Sequence, residues 1–285
     1  MLFISSFFHF FIIITYLCTQ MKQVRPKKNL GQHFLTDLNI AKRIADTVDE
    51  PYAELPVLEV GPGMGVMTQY LVEKPRPLKV VEIDRESVAY LRENFPRLNN
   101  NIIGGDFLRM DLNEVFDGQQ FVLTGNYPYD ISSQIFFKML DNKDLIPCCT
   151  GMIQHEVAVR MAAKPGNKQY GILSVLIQAW YDVEYLFTVE PGVFNPPPKV
   201  QSAVIRMTRN AVTDLGCDEK LFKRIVKATF NQRRKMLRVS LRQILNADSQ
   251  LLSPDSSDPM MTRRPEQLSI LEFIDLTNKV AKELT

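Results

Sequence analysis

Val57-Leu58-Glu59-Val60-Gly61-Pro62-Gly63-Met64-Gly65 reads as an apolar strand running directly into a glycine-rich turn that opens a helix. Glycine is needed where backbone takes a positive φ or passes close to a bound molecule, and the helix N-terminus then faces that molecule. A lone G-x-G-x-G is a plain tight turn in many sequences, so its neighbours decide. Glu82 ends the next apolar run, Val80-Val81-Glu82-Ile83-Asp84, about twenty residues on, where a carboxylate can hold both hydroxyls of a ribose. Asp106 ends the third run, Ile102-Ile103-Gly104-Gly105-Asp106, at the same expected sheet edge, where it can accept from an adenine amino group. Either carboxylate alone could be a solvated strand end; suitable residues at three successive strand ends favour one site.

The rest of the pattern extends outward from this unit. Strands are expected at Val57–Val60, Lys79–Ile83, Ile102–Ile103, Phe121–Thr124, Cys148–Ile153, Val183–Phe187 and Val204–Met207, and a first helix near Asp37. Their alternation with helical patterns predicts an α/β fold, a mostly parallel sheet with helices on both faces. The interval from Val183 to Met207 has no room for a helix between its strands, so a closing antiparallel pair is expected there. Residues 21–209 form this unit, and residues 210–285 read as a small all-α domain. Within it, Lys223–Arg242 holds eight Lys or Arg and no acidic residue. Leu237, Leu241, Ile244 and Leu245 repeat on one side and Arg224, Lys227, Arg234 and Arg238 on another, which predicts one helix buried along a stripe and cationic opposite. A solvated cationic face is the competing reading.

Residues 1–20 are almost wholly apolar and contain no Lys or Arg. They lack the basic start of a secretory signal. Ser5, Ser6, His9 and Thr15 interrupt the roughly 20 apolar residues a membrane anchor needs. The preferred reading is a start placed too early, with Met21 the true beginning; an anchor is the second choice. Composition is that of a globular chain of 285 residues, 45% hydrophobic and 23% charged. A net charge of +2 is too small to announce a polyanionic partner, so any nucleic-acid signal must lie in the charge distribution. Four cysteines without paired ligand spacing and three scattered histidines argue for reduced thiols in a cytoplasmic protein and against a metal site.

The glycine spacing separates two cofactors. A dinucleotide fingerprint places its last glycine one residue later, as G-x-G-x-x-G, where this chain has Val66. Glu59, two residues before Gly61, instead matches the E-x-G-x-G-x-G pattern of class I methyltransferases, whose methyl donor is S-adenosylmethionine. Phe121-Val122-Leu123-Thr124-Gly125-Asn126-Tyr127-Pro128-Tyr129 then puts an amide, a proline and an aromatic at the end of the fourth strand. An adenine amine is a poor nucleophile because its lone pair is delocalised into the ring. Acceptors holding its two hydrogens, the Asn126 side-chain oxygen and a carbonyl at Tyr127 or Pro128, would push the nitrogen toward a tetrahedral, reactive geometry. Pro128 fixes the chain direction, and Tyr129 can stack on the base. Taken alone, the same residues could be a turn.

These stretches resemble one family. Lys27-Lys28-Asn29-Leu30-Gly31-Gln32-His33-Phe34-Leu35, Gly61–Gly65, Asn126–Tyr129, Phe194-Asn195-Pro196-Pro197-Pro198-Lys199-Val200-Gln201-Ser202, Phe230-Asn231-Gln232-Arg233-Arg234-Lys235 and Arg264-Pro265-Glu266-Gln267-Leu268-Ser269 are similar to motifs of the bacterial small-subunit (16S) ribosomal RNA dimethyladenosine transferases, known for kasugamycin sensitivity. The resemblance spans the chain after Met21. It implies a class I, Rossmann-like methyltransferase sheet. His33 and Leu35 would border the donor beside Gly61 and Gly63, Glu82 would take its ribose, and Asp106 and Asn126 would complete the pocket. Phe194 would face Tyr129 across the target base. Two positions depart from the family pattern: His33 stands where Asn is common, and Tyr127 where Leu is usual.

The implied reaction is dimethylation of N6 on two adjacent adenosines in a hairpin loop near the 3′ end of 16S ribosomal RNA, within the 30S subunit or its precursor. It requires neither a nucleophilic residue nor a metal. Phosphates would meet the basic arm at Lys27 and Lys28 and the cations Arg233, Arg234, Lys235 and Arg238. A monomer with no membrane partner is expected. The alternatives are a 23S ribosomal RNA adenine methyltransferase of the antibiotic-resistance type, a non-catalytic ribosome assembly factor, and a nicotinamide-dependent oxidoreductase.

Overall fold

Asp37 starts the first helix. Its carboxylate accepts from the N–H of Asn39 at 2.9 Å and of Ile40 at 3.1 Å, satisfying two of the donors that a helix start leaves open. The computed structural model describes residues 24, 26–27, 30–254 and 257–284, so the expectations for residues 1–20 and for Lys28 lie outside the described residues. In chain order the elements are β1 (Phe34–Leu35), α1 (Leu38–Asp46), β2 (Val57–Val60), α2 (Thr68–Leu71), β3 (Leu78–Glu82), α3 (Arg85–Asn94), β4 (Ile102–Gly104) and β5 (Val122–Asn126). They continue with α4 (Ser132–Asp141), β6 (Cys148–Gln154), α5 (His155–Ala162), α6 (Ile172–Gln178), β7 (Tyr181–Val189), β8 (Phe194–Asn195) and β9 (Ser202–Arg209). Beyond the sheet lie α7 (Glu219–Asn231), α8 (Leu237–Ser240) and α9 (Ile270–Leu284).

Seven strands form one sheet in the order β4-β3-β2-β5-β6-β9-β7. From β4 to β6 all pairings are parallel, and β9 pairs antiparallel with both β6 and β7. The expected strands and the closing antiparallel pair are present. From β2 the chain builds outward to β3 and β4, then returns to the other side of β2 with β5. The switch point, where open α/β sheets bind ligands, therefore lies between the tips of β2 and β5.

Alternate residues of each strand serve opposite faces. Val57, Val80, Val122 and Cys148 pack with Ile44, Leu71 and Leu91 on one face. Leu58, Val81, Leu123 and Cys149 pack with Ile135 and Phe136 on the other. Covered on both sides, β2 is buried at every position, as parallel strands require. The second cluster does not stop at the sheet: it continues without a break into Phe222, Ile225 and Phe230 of α7 and Phe273, Leu276 and Val280 of α9.

Two expectations are corrected. Lys223–Arg242 is not one helix: α7 ends at Asn231, a turn follows, and helix resumes only at Leu237. The break is set by distant partners, because the Leu237 N–H donates to the Arg263 carbonyl at 2.9 Å and Arg233 pairs with Glu266. The helix behind the glycine turn opens at Thr68 rather than at the turn, and is four residues long. Backbone amides and side chains, rather than a helix dipole, therefore build the cradle.

Candidate active site

The tips of β2, β3 and β5, the Asp106 loop after β4 and the segment before β1 enclose one cleft. It has an empty volume of about 1100 Å³, its open mouth included, and is lined by Gly61, Gly63, Glu82, Asp106, Asn126 and Pro128 among others. Gly63 shows why glycine stands in the turn. Its φ is +56°, a Cβ there would meet the Phe34 ring at 3.0 Å, and its N–H donates to Glu82 Oε2 at 3.0 Å.

Glu82 is the electrostatic centre of this half. It is buried, and its other oxygen accepts from the Asp84 N–H at 2.9 Å. Burial pushes its pKa up, against the two amides that favour the charged form. Each carboxylate oxygen has a second acceptor site, so a vicinal diol could be held without displacing either amide. Asp106 caps the short turn after β4 by accepting from the Leu108 N–H at 2.9 Å, and Arg109 Nε stands 3.4 Å from its Oδ2.

Asn126 ends β5. Its amide nitrogen donates to the His33 carbonyl at 3.2 Å, and no donor among the described residues sits on its side-chain oxygen. The amide is thus oriented by one end, with an acceptor left in the cleft. The Tyr129 hydroxyl lies 2.5 Å from Ser202 Oγ, and its ring stacks on His33 at 5.5 Å between centroids and 27° between planes. Burial raises the Tyr129 pKa, with the Ser202 contact opposing, so the phenol stays neutral. His33 in turn places Nδ1 2.8 Å from the Pro196 carbonyl.

Not every expected residue reaches the cleft. Leu35 and Phe194 are partners across the β1–β8 pair and are 5% and 4% exposed, packed in the core with Met152, Val189 and Val204. They brace the wall from behind; Phe34 lines it instead, and it is His33 rather than Phe194 that stands against Tyr129. Sequence reasoning also missed Gln32, Ile83 and Phe107 as lining residues. Ile83 carried a signal, an apolar residue one past the strand-ending Glu82, and it is 54% exposed.

The expected phosphate-binding cations divide. Arg234 and Lys235 are exposed in the turn after α7. Arg233 is engaged with Glu266 Oε2 at 2.5 Å and with the Asn167 carbonyl at 3.3 Å, and Arg238 donates to the Pro254 carbonyl at 3.4 Å. Lys27 lies on Asp84 at 2.5 Å and Glu86 at 3.2 Å, at the start of α3 just beyond the cleft-lining Glu82 and Ile83. Among the described residues, no group of three or more His, Cys, Asp or Glu side chains could hold a metal ion, and no helix is long and apolar enough to cross a membrane.

Known proteins resemble this chain in sequence and in fold. The family model for ribosomal RNA adenine dimethylases matches residues 23–282. The ribosomal RNA small subunit methyltransferase A of Phocaeicola vulgatus is 69% identical over 264 residues, covering 93% of this chain and 92% of that protein. The protein of the same name from Flavobacterium johnsoniae is 54% identical over 261 residues, covering 91% and 97%. Among solved structures, a dimethyladenosine transferase from Plasmodium falciparum superimposes with a TM-score of 0.72 at 22% identity, over 88% of this chain and 98% of that one, a likeness of fold. The 23S rRNA methyltransferase ErmE superimposes with a TM-score of 0.60 at 26% identity, over 86% and 99%. With a family-model match running from residue 23 to residue 282, this chain belongs to the ribosomal RNA adenine dimethylase family.

Proposed function

We propose that the chain transfers methyl groups from S-adenosylmethionine to N6 of two adjacent adenosines in a hairpin loop near the 3′ end of 16S ribosomal RNA, as a cytoplasmic monomer acting on the 30S subunit or its precursor. The observation that carries this reading is the Asn126 side chain, oriented through its nitrogen by the His33 carbonyl and placed in the cleft that Gly61 and Glu82 line. The donor supplies a methyl group made electrophilic by its sulfonium. The cleft fits it: Glu82 offers a buried carboxylate for a ribose diol, Asp106 an acceptor for an adenine amine, and Gly61 and Gly105 open space where side chains would stand.

The residues of the chain act mainly by positioning and hydrogen bonding. Asn126 Oδ1 and the carbonyl of Tyr127 or Pro128 would accept the two N6 hydrogens and turn the nitrogen lone pair out of conjugation. As the N6–methyl bond forms, the donor's S–methyl bond would break to leave a neutral thioether, and the positively charged N6 so formed is acidic enough to lose its proton to water. After the first transfer one hydrogen remains to be held for the second. Residues 210–285, with Arg234 and Lys235 exposed, would serve as the RNA-binding unit; Lys27, Arg233 and Arg238 would each have to exchange a protein partner for a phosphate.

The test is transfer of labelled methyl from the donor to 30S subunits lacking the modification, beside 23S ribosomal RNA, with the modified base mapped. Two neighbouring dimethyladenosines in the small subunit are expected. Modification of 23S RNA, or binding without transfer, would overturn the reading in favour of the resistance-type enzyme or a non-catalytic factor.

A further inference from the structure

Tyr127 lies between Asn126 and Pro128 among the residues that line the cleft, yet it is 1% exposed and belongs to the core cluster shared with Phe136 and Cys149. Both ends of the residue are fastened to β6. Its backbone N–H donates to the Met152 carbonyl at 3.0 Å, and its phenol donates to the Thr150 carbonyl at 2.9 Å, with Cys149 Sγ at 3.2 Å. The ring fills a slot made by two glycines that are register partners, Gly125 and Gly151. A Cβ on Gly151, whose φ is +143°, would come within 2.2 Å of the Gly125 carbonyl oxygen and 2.8 Å of the Tyr127 ring. Phe136 of α4 closes the slot edge-on at 5.6 Å and 75°. Thr150 is itself fixed, its hydroxyl donating to the Ile205 carbonyl of β9 at 2.9 Å and lying 2.7 Å from Thr47 Oγ1 of the segment after α1.

A leucine could fill part of such a slot but could not reach the Thr150 carbonyl with a donor. We infer that the Tyr127 phenol is a positioning group for methyl transfer. Anchored to the sheet at Thr150 and Met152, it holds the acceptor carbonyl at residue 127 and the neighbouring Asn126 amide at fixed orientation to the donor cleft. Burial keeps the phenol in its neutral, donating form far above neutral pH. This inference rests on the proposed adenine N6 chemistry, in which small errors in acceptor placement weaken the reactive geometry. The second methylation is the more sensitive step, because a monomethyl amine has one hydrogen to offer and is oriented by one hydrogen bond where the unmodified amine has two.

The experiment compares wild type, Tyr127→Phe and Tyr127→Leu on 30S subunits, measuring kcat, KM, donor affinity in the absence of RNA, melting temperature, and the ratio of dimethyl to monomethyl adenosine. Tyr127→Phe keeps the ring and its slot, so the fold and donor affinity should persist within about twofold, while kcat falls about 3- to 10-fold, the rate equivalent of one hydrogen bond. The product ratio should shift toward monomethyl adenosine. Tyr127→Leu, which lacks a donor for the Thr150 carbonyl, should not restore kcat. A wild-type kcat and product ratio in Tyr127→Phe would overturn the inference and leave the proposed function standing. Donor affinity and KM worsening in step with melting temperature, with kcat unmoved, would overturn it too and reduce the residue to packing. Absence of transfer by the wild type would overturn both.

Discussion

Glu59, directly behind the glycine turn, keeps a carboxyl away from water. Burial lifts its pKa to about 8; the Thr68 hydroxyl, donating at 2.7 Å, opposes the shift and the nearby Glu82 charge adds to it. The fold therefore prefers the neutral acid. Its stabilising contribution is complete below the ordinary value of 4.5 and is lost as pH rises through about 8. Glu59→Gln keeps an acceptor for Thr68, so it should match wild type in thermal unfolding at about pH 4 and exceed it above pH 8; parallel curves across that window would refute the assignment. At Glu82, under the proposed function, the charge itself would hold the donor. Glu82→Gln should weaken donor binding about 10- to 100-fold by calorimetry, the worth of a charge-assisted hydrogen bond. Glu82, Asp106 and Asn126 were legible in the sequence because the end of an apolar run is visible there and parallel strands bring such ends to one edge. Leu35 and Phe194 were not: their burial comes from pairing two short strands nearly the length of the catalytic unit apart.

Among the elements, Lys27 is tied to the start of α3 beside the cleft-lining Glu82 and Ile83, and this predicts a kinetic consequence. Asp84 is driven up by its burial, but the bonds from Lys27 and Ser87 outweigh that and keep it ionised. Lys27→Ala removes the tie without touching the lining, so dissociation of the donor or its demethylated product should quicken a few-fold in stopped-flow, as for a partly exposed ion pair. An unchanged rate would mean that the Lys27 ion pairs do not gate the cleft. The sequence announced the strands and the capped start of α1 through local pattern alone. It did not announce the break after Asn231, because the apolar spacing of Leu237, Leu241, Ile244 and Leu245 is real and all four are buried. What interrupts the helix is bonding to Arg263 and Glu266, some thirty residues downstream, which no local period reports.

Across the whole molecule, the α/β unit and the helices after Arg209 share one continuous buried cluster. Lys143 pairs with Glu219 at 3.2 Å and Lys223 with Asp141 at 2.7 Å across the same junction. Under the proposed function, a base in the cleft and phosphates on the helical part would be read by one packed body. Affinity for RNA should fall as salt rises, and replacing both Arg234 and Lys235 by alanine should lower the slope of log K against log salt by about 0.7–0.9 for each phosphate left without its cation. An unaltered slope would place the phosphate surface elsewhere. The claim on which the rest depends is that the tips of β2 and β5 bring donor and adenine N6 together. The most direct measurement is the affinity of a bisubstrate in which N6 of adenosine is joined covalently to the donor's transferable carbon, determined for wild type and Asn126→Ala. Wild type should bind it at least about 100-fold more tightly than the donor portion alone, and Asn126→Ala should lose most of that gain while still binding the donor. Equal bisubstrate affinity in the two proteins would contradict the account.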